Sequence, residues 1–234
     1  MQLFFCPDYS EEKIITLDKE ESAHIVRVLR MQEGELVMVT NGKGTMLTCK
    51  LIESNPKRCS LEVINKEQDY GKRPFYIHLA IAPTKNIGRM EWLIEKAVEI
   101  GVDEISFLLT EHSERKVVNL ERLDKIIISA MKQSLKSYRT KLNDMQKLSS
   151  FITNIKEENK YLCCCSIDEK IFIKNNYKKD SSSIILIGPE GDFSEKEINM
   201  AKENNCNLIT LGSQRLRTET AALYAISNIH FLNQ

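Results

Sequence analysis

Two short stretches near the carboxyl end of this 234-residue chain hold the side chains best suited to chemistry. In the first, the apolar run Ile184-Ile185-Leu186-Ile187 ends in Gly188-Pro189-Glu190-Gly191. In the second, Leu208-Ile209-Thr210-Leu211 ends in Gly212, then Ser213-Gln214-Arg215-Leu216-Arg217-Thr218-Glu219-Thr220. Arg217 offers a fork of donors to an oxygen on which negative charge builds, while Glu190 and Glu219 are groups that take a proton. Gly188 and Gly191 let a ligand approach the backbone, and Pro189 stiffens the bend. The Lys-Ser/Thr ending of a triphosphate loop is missing, so ATP hydrolysis has no support. Each feature taken singly also has a structural reading. A Gly-Pro bend joins a strand to a helix, Glu219 offsets a helix dipole, and Arg217 is surface charge. Two strand ends that each open a helix suggest one shared pocket, because ligands of open α/β sheets bind beyond the carboxyl ends of the strands.

The elements that must position these residues read as follows. From Phe75 onward strands and helices alternate: strand Phe75–Ala82, helix Arg89–Ile100 with an apolar stripe from Met90 to Val98, strand Glu104–Leu109, helix Leu120–Lys136 with Asn119 as N-cap, strands Tyr161–Ser166 and Ser183–Gly188. Ser194 and Glu197 form a capping box that opens a helix to Asn204, followed by strand Asn207–Leu211 and helix Thr218–Leu232. This alternation predicts a mainly parallel sheet with helices on both faces. Lys170–Ser183 is polar and reads as a mobile surface loop. The first seventy residues differ. Leu3–Cys6, Ile14–Leu17, Glu35–Thr40, Thr45–Glu53 and Ser60–Asn65 are short strand-like segments, with Asn41-Gly42 as a tight hairpin turn. One helix interrupts them, capped by Asp18 with Glu21 completing a capping box, and it displays His24, Arg27 and Arg30. A small β-barrel over 1–70 and an α/β domain over 71–234 are therefore expected, with the boundary near Gly71 and Pro74.

Apolar residues make up 42% and charged residues 28%, as in an ordinary globular protein, and 33 basic groups balance 33 acidic ones. Net charge does not announce a polyanion binder, but its distribution says more: Lys125, Lys132, Lys136, Arg139 and Lys141 occur with no acidic residue among them, a local cationic stretch able to steer a polyanion. Read one at a time, these are solvated helix charges as readily as RNA contacts. The seven cysteines form no CxxC pair. Cys163, Cys164 and Cys165 are adjacent and cannot all face one ion, so a buried strand in a reducing compartment is expected and a metal is not. No leader or membrane-spanning run is evident, which points to the cytoplasm.

Ile187-Gly-Pro-Glu-Gly191, Leu211-Gly212 and Leu216-Arg-Thr-Glu-Thr-Ala221 resemble the signature of the SPOUT methyltransferases, and within them the RsmE family of 16S rRNA (uracil-N3)-methyltransferases. His24-Ile-Val-Arg27-Val-Leu-Arg30 with Gly34 resembles that family's PUA-like domain. Lys96, Glu99 and Gly101, and Ala130 to Ser134, resemble two further family elements. The resemblance implies a SPOUT-type trefoil-knotted parallel sheet behind a PUA-like β-barrel, a homodimer, and a substrate in 16S rRNA of the small ribosomal subunit. It also implies S-adenosylmethionine as cofactor, held by Leu186, Ile187, Gly188, Pro189, Glu190 and Gly191, and by Leu211, Gly212, Ser213, Leu216, Arg217 and Thr218. Arg217 would steady charge on the uracil and Glu219 or Glu190 would act as base. His24, Arg27, Arg30, Lys132, Gln133, Lys136 and Arg139 would contact RNA. Asp192 stands where the family often has Gly, Gln214-Arg215 where Arg-Ile is common, Lys136 where an Arg follows Gln-Ser, and Thr140 lies where a Pro is typical. Competing readings are a methyltransferase of another rRNA position or of ribose 2′-O, and a non-catalytic RNA-binding module.

Overall fold

The computed structural model describes residues 2–165 and 171–234. These fall into two compact units, Met1–Lys72 with Ile128–Arg139, and Arg73–Ile127 with Thr140–Gln234.

The first unit is a curled five-stranded sheet in the order β1-β3-β4-β5-β2, from β1 (Leu3–Phe5), β2 (Ile14–Thr16), β3 (Leu36–Thr40), β4 (Met46–Glu53) and β5 (Ser60–Glu67), with α1 (Lys19–Ala23) between β2 and β3. Alternation along the strands turns Val37, Val39, Leu47, Cys49, Leu51 and Leu61 inward, where they pack with Phe4, Ile15 and Ile25. The expected two-residue hairpin is a longer loop. Asn41 Oδ1 accepts from the amides of Lys43 and Thr45 at 2.8 and 3.2 Å, and Gly42 and Gly44, not Asn41, take the positive φ values. Asp18 does cap α1, through the Glu21 amide at 2.8 Å. The Glu21 carboxylate does not complete the box, because it accepts instead from the Phe5 amide and from Lys132 Nζ. Beyond α1 the backbone widens into a π-helical turn, His24–Leu29, closed by Arg30 in the left-handed conformation.

The second unit carries a fully parallel six-stranded sheet in the order β11-β9-β10-β6-β7-β8. Its strands are β6 (Tyr76–Ile81), β7 (Glu104–Leu109), β8 (Lys141–Lys147), β9 (Asn159–Cys163), β10 (Ser182–Ile187) and β11 (Asn207–Ile209). The helices are α2 (Ile87–Ile100), α3 (Leu120–Gln133), α4 (Leu148–Ile152), α5 (Glu195–Glu203) and α6 (Thr218–Leu232). α3 runs from this unit into the first. Helices α2 and α6 pack on each other, with α6 against β6 and β10, while α4 and α5 pack together and reach β7, β8 and β11. Strand period divides the interior accordingly: Ala80, Leu108, Leu162, Ile184 and Leu186 lie in the core shared with α4 and α5. β10 lies between β6 and β9, β11 lies beyond β9, and α6 returns over β10 and β6.

Several boundaries move for identifiable reasons. α3 stops at Gln133 rather than Lys136, because Leu135 turns left-handed and the Lys136 amide reaches back to Met131. No glycine signals that stop. β8 has no apolar alternation, being a charged strand at the sheet edge, and so was not expected. The strand expected over Tyr161–Ser166 ends at Cys163, with Ser166 outside the described residues. From Ile171 on, the segment expected to be mobile is packed: Ile173 is buried, Ile171 bonds to Leu208 and Thr210, and Asn159 holds Ser181 and the Lys178 amide. Lys170 lies outside the described residues.

At the amino ends of β6, β7 and β8 a partly buried polar network forms. Glu104 accepts from Tyr76 Oη at 2.7 Å, Lys141 Nζ at 2.8 Å and Asn143 Nδ2 at 2.6 Å. His78 bridges Ser106 Oγ at 2.8 Å and Glu157 at 2.5 Å. Burial pushes the Glu104 carboxyl up, but the donors from Lys141, Tyr76 and Asn143 outweigh it and hold it at about 2, while His78 holds Glu157 below the ordinary range against its burial. Both folded-state values are depressed, so the stability these groups contribute is present above the unfolded value of 4.5 and lost as pH falls toward 2. The thermal midpoint should drop steeply across that window, and Glu104→Gln should flatten part of the drop. A midpoint equally pH-dependent in the variant would count against the network as its source.

Candidate active site

β9, β10 and β11 are neighbours and all run the same way, so Cys163, Ile187 and Ile209 end side by side. Beyond them opens a cavity of ≈ 850 Å³. Its walls are the chain after β10, the chain after β11, the first turn of α6, Cys163–Cys165, and Arg89 from α2. Ile187, Gly188, Pro189, Glu190, Gly191, Leu211, Gly212, Ser213, Leu216, Arg217, Thr218 and Glu219 all line it. Leu186 does not: one residue before Ile187, it points to the opposite face of β10 and is fully buried in the core.

The first bend is held by short-range contacts. A Cβ on Gly188 would sit 3.1 Å from the Phe193 ring and 3.3 Å from its amide, so any larger residue would have to push Phe193 aside by a few tenths of an ångström. Asp192 occupies a left-handed conformation, φ 61°, which glycine adopts at no steric cost and aspartate less readily. Here the carboxylate offsets the strain. One oxygen accepts from the Phe193 amide at 2.8 Å and the other from the Cys165 amide at 2.7 Å, tying the β9 and β10 ends together. His112 meets the Asp192 carbonyl at 3.0 Å, a contact that raises the imidazole pKa.

In the second bend, Thr210 Oγ1 accepts from the Gly212 amide and donates to its carbonyl, both at 3.2 Å. Gly212 has φ 117°, a conformation L side chains rarely adopt, although a Cβ there would meet nothing within 4 Å. Gly212→Ala should therefore strain only this bend. Gly212 is exposed, so with alanine the ligand-free bend relaxes out of this conformation and must regain it around a ligand. The expected cost of about 1–2 kcal/mol then falls on binding, weakening it roughly tenfold, with a nearly unchanged thermal midpoint of the ligand-free protein. Calorimetry and melting curves check the two halves separately, and undiminished affinity would remove the bend from the binding surface.

Arg217 is the N-cap residue of α6, extended at φ −71° and ψ 155°, exposed, and bordering the cavity. Glu219, in the first turn of α6, is 6% exposed. Its Oε1 lies 3.7 Å from Arg89 Nε, and its Oε2 is buried with no hydrogen-bond partner. Glu190, by contrast, is exposed and accepts from the Lys85 amide at 3.1 Å. The two expected bases are thus in different situations: only Glu219 has a desolvated, unsatisfied oxygen. Burial pushes the Cys163 thiol well above its ordinary pKa, which disfavours a thiolate nucleophile. Arg89, Cys163–Cys165 and Thr210 also line the cavity, and sequence reasoning did not assign them to it. For the cysteines the missing information was the strand order that sets β9 between β10 and β11.

Of the expected RNA contacts, His24, Arg27 and Arg30 are exposed on the π-helical turn of the first unit. Gln133, Lys136 and Arg139 belong to that same unit, with Gln133 and Arg139 exposed. Lys132 is engaged by Glu21 at 2.7 Å, which neutralises its charge locally. Among the described residues no cluster of His, Cys, Asp and Glu could hold a metal ion, and no helix is long and apolar enough to cross a membrane.

Family models described as an RNA methyltransferase domain and an RNA methyltransferase PUA domain match residues 71–230 and 17–64. The chain is 28% identical over 239 residues to ribosomal RNA small subunit methyltransferase E of Bacillus subtilis (strain 168), covering 94% of this chain and 91% of that one. Among solved structures, a probable rRNA-methyltransferase from Porphyromonas gingivalis is 38% identical with a TM-score of 0.92, covering 100% of this chain and 98% of that chain. Ribosomal RNA small subunit methyltransferase E from Neisseria gonorrhoeae, bound to S-adenosyl methionine, is 28% identical with a TM-score of 0.87, covering 99% and 98%.

Proposed function

The chain belongs to the RNA methyltransferase family, in its small-subunit methyltransferase E branch, and from that premise we infer that it transfers a methyl group from S-adenosylmethionine to N3 of one uridine in 16S rRNA. The observation that carries this reading is the cavity beyond β9, β10 and β11, where both glycine-bearing bends and the unsatisfied Glu219 oxygen converge. Its ≈ 850 Å³ is in the range that holds a molecule of the cofactor's size. The lining suits the group as well: backbone of the two bends and apolar Ile187, Leu211 and Leu216 for the adenine, and the Glu190 and Asp192 carboxylates for a cation.

When bound, S-adenosylmethionine supplies an electrophilic methyl on a sulfonium. The protein's task is to present a nucleophile in line with it. Uracil N3 carries a weakly acidic proton and becomes nucleophilic as that proton leaves. Glu219 Oε2, buried and without a partner, is the acceptor for it. Negative charge then spreads to the flanking carbonyls, and Arg217 at the start of α6 donates to one of them. N3 is hidden in paired RNA, so the target base is unpaired or flipped out.

The PUA unit grips the RNA backbone through Arg27, Arg30 and Arg139. The enzyme works as a homodimer in the cytoplasm, where ribosomal subunits are built. The dimer reading rests on exposed aromatics of two helices that pack together: Trp92 on α2 is 48% exposed, and Tyr224 and Phe231, seven residues apart on α6, are 51% and 74% exposed. Phe231→Asp should shift the protein toward monomer in sedimentation, and an unshifted profile would move the interface elsewhere.

The deciding test incubates the protein with methyl-labelled S-adenosylmethionine and 16S rRNA from cells lacking the activity, then maps modified nucleosides by mass. One N3-methyluridine is expected. A 2′-O-methylated ribose or a different base would replace the reading with one of its rivals, and failure to bind S-adenosylmethionine would favour a non-catalytic RNA-binding module.

A further inference from the structure

Beside the cofactor cavity lies a second one of ≈ 550 Å³, walled by Lys85, Asn86, Arg89, Glu114 and Glu190. Arg89 and Glu190 border both, so the two cavities meet there. Most of these walls are already engaged. Lys85 Nζ pairs with Glu114 at 2.9 Å, Glu190 accepts from the Lys85 amide, and Asn86 Oδ1 caps α2 by accepting from the Gly88 amide at 2.9 Å. The Arg89 guanidinium differs. Its side chain is 38% exposed, and its charged neighbour, Glu219 Oε1, is 3.7 Å from Nε, beyond hydrogen-bond reach. It makes no hydrogen bond to any described residue. Next to it, Glu219 Oε2 is buried and unpartnered.

A fork of donors, ion-paired with Glu219 Oε1 but without a hydrogen bond, beside the unpartnered Oε2 is complementary to a carbonyl adjacent to an N–H. The pairing edge of uracil presents that pattern: carbonyl, N3–H, carbonyl. Cytosine presents a bare N3 lone pair with an amino donor beside it, which would face the carboxylate and the guanidinium with the wrong polarity.

Building on the methyl-transfer reading above, we propose that Arg89 is the residue that selects uracil over cytosine, donating to the C4 carbonyl oxygen, which cytosine replaces by an amino group, while Glu219 accepts the N3 proton. Arg217 then serves the other carbonyl, and the second cavity takes the rest of the nucleotide. In the step, the N3–H bond breaks and its proton passes to Glu219 Oε2. The electron pair left on N3 forms the N–CH3 bond, and the S–CH3 pair remains on sulfur. The sulfonium and the carboxylate are neutralised together, and the charge that passes over the carbonyls is shared by Arg89.

The test compares wild type, Arg89→Met and Arg89→Gln in three measurements. Calorimetry gives S-adenosylmethionine affinity. Fluorescence anisotropy of the protein saturated with S-adenosylhomocysteine gives affinity for the mapped 16S fragment as a single strand, with uridine or cytidine at the target. Turnover is measured on the uridine fragment. Arg89→Met should leave cofactor affinity within about threefold, reduce a wild-type uridine preference of roughly tenfold or more to near unity, and lower turnover by about a hundredfold. Arg89→Gln, which keeps one amide donor, should recover part of both. Retained preference and turnover in Arg89→Met would overturn the proposal. So would a parallel loss of cofactor affinity in both variants, which would assign Arg89 to the cofactor cavity. Wild type that binds no S-adenosylmethionine would overturn the methyl-transfer reading itself, a result visible before any variant is compared.

Discussion

Glu219→Gln should lower the turnover of methyl transfer by about 10²–10⁴-fold, with S-adenosylmethionine affinity changed by no more than about threefold. The substitution keeps shape and removes the charge that receives a proton. Glu219 is 6% exposed and its Oε2 has no partner, so no alternative acceptor is already in place at that point. An unsatisfied buried carboxylate oxygen costs on the order of 1–3 kcal/mol, a cost that a bound N–H removes. Glu190 is the internal control. It is exposed and already accepts from the Lys85 amide, so Glu190→Gln should retain turnover within about an order of magnitude. Single-turnover kinetics with calorimetry reads both variants. Equal effects at the two positions would deny Glu219 the role of base.

Arg217→Ala should cost about 10²–10³-fold in turnover, again with near-normal cofactor affinity. Arg217 makes no side-chain cap on α6 and is exposed at the cavity wall, so its removal should not destabilise the helix start. Its expected contribution arises only as charge develops on the uracil carbonyl, which is why turnover should fall while binding does not. Arg217→Lys keeps the charge but loses the planar fork, and should recover only part of the rate. Normal turnover with normal cofactor binding in Arg217→Ala would remove Arg217 from the mechanism.

Much of this was legible before any coordinates. The alternation after Phe75, the Ser194–Glu197 capping box, the Asn119 and Asp18 caps and the bounds of α6 all follow from patterns in which each residue's neighbours in sequence are also its neighbours in space. What was missed lacks such a local signal. β8 pairs at an edge with polar side chains, and α3 ends on a left-handed leucine where a glycine would have announced the stop. The polar run Lys178–Ser181 is held by Asn159, nineteen to twenty-two residues earlier in the chain.

The sequence by itself determined which bends end strands and open helices, because turn chemistry and strand period are short-range properties; it suggested, without fixing it, that Gly188–Gly191 and Gly212–Thr218 share one site. Only the tertiary structure decided that β9 lies between β10 and β11, that Leu186 faces the core while Ile187 faces the cavity, and that Arg89 stands beside Glu219. It also decided that Lys132 is held by Glu21. These are contacts between residues far apart along the chain, set by strand order and helix return. Packing selects such contacts from many arrangements that the same local patterns would satisfy equally well.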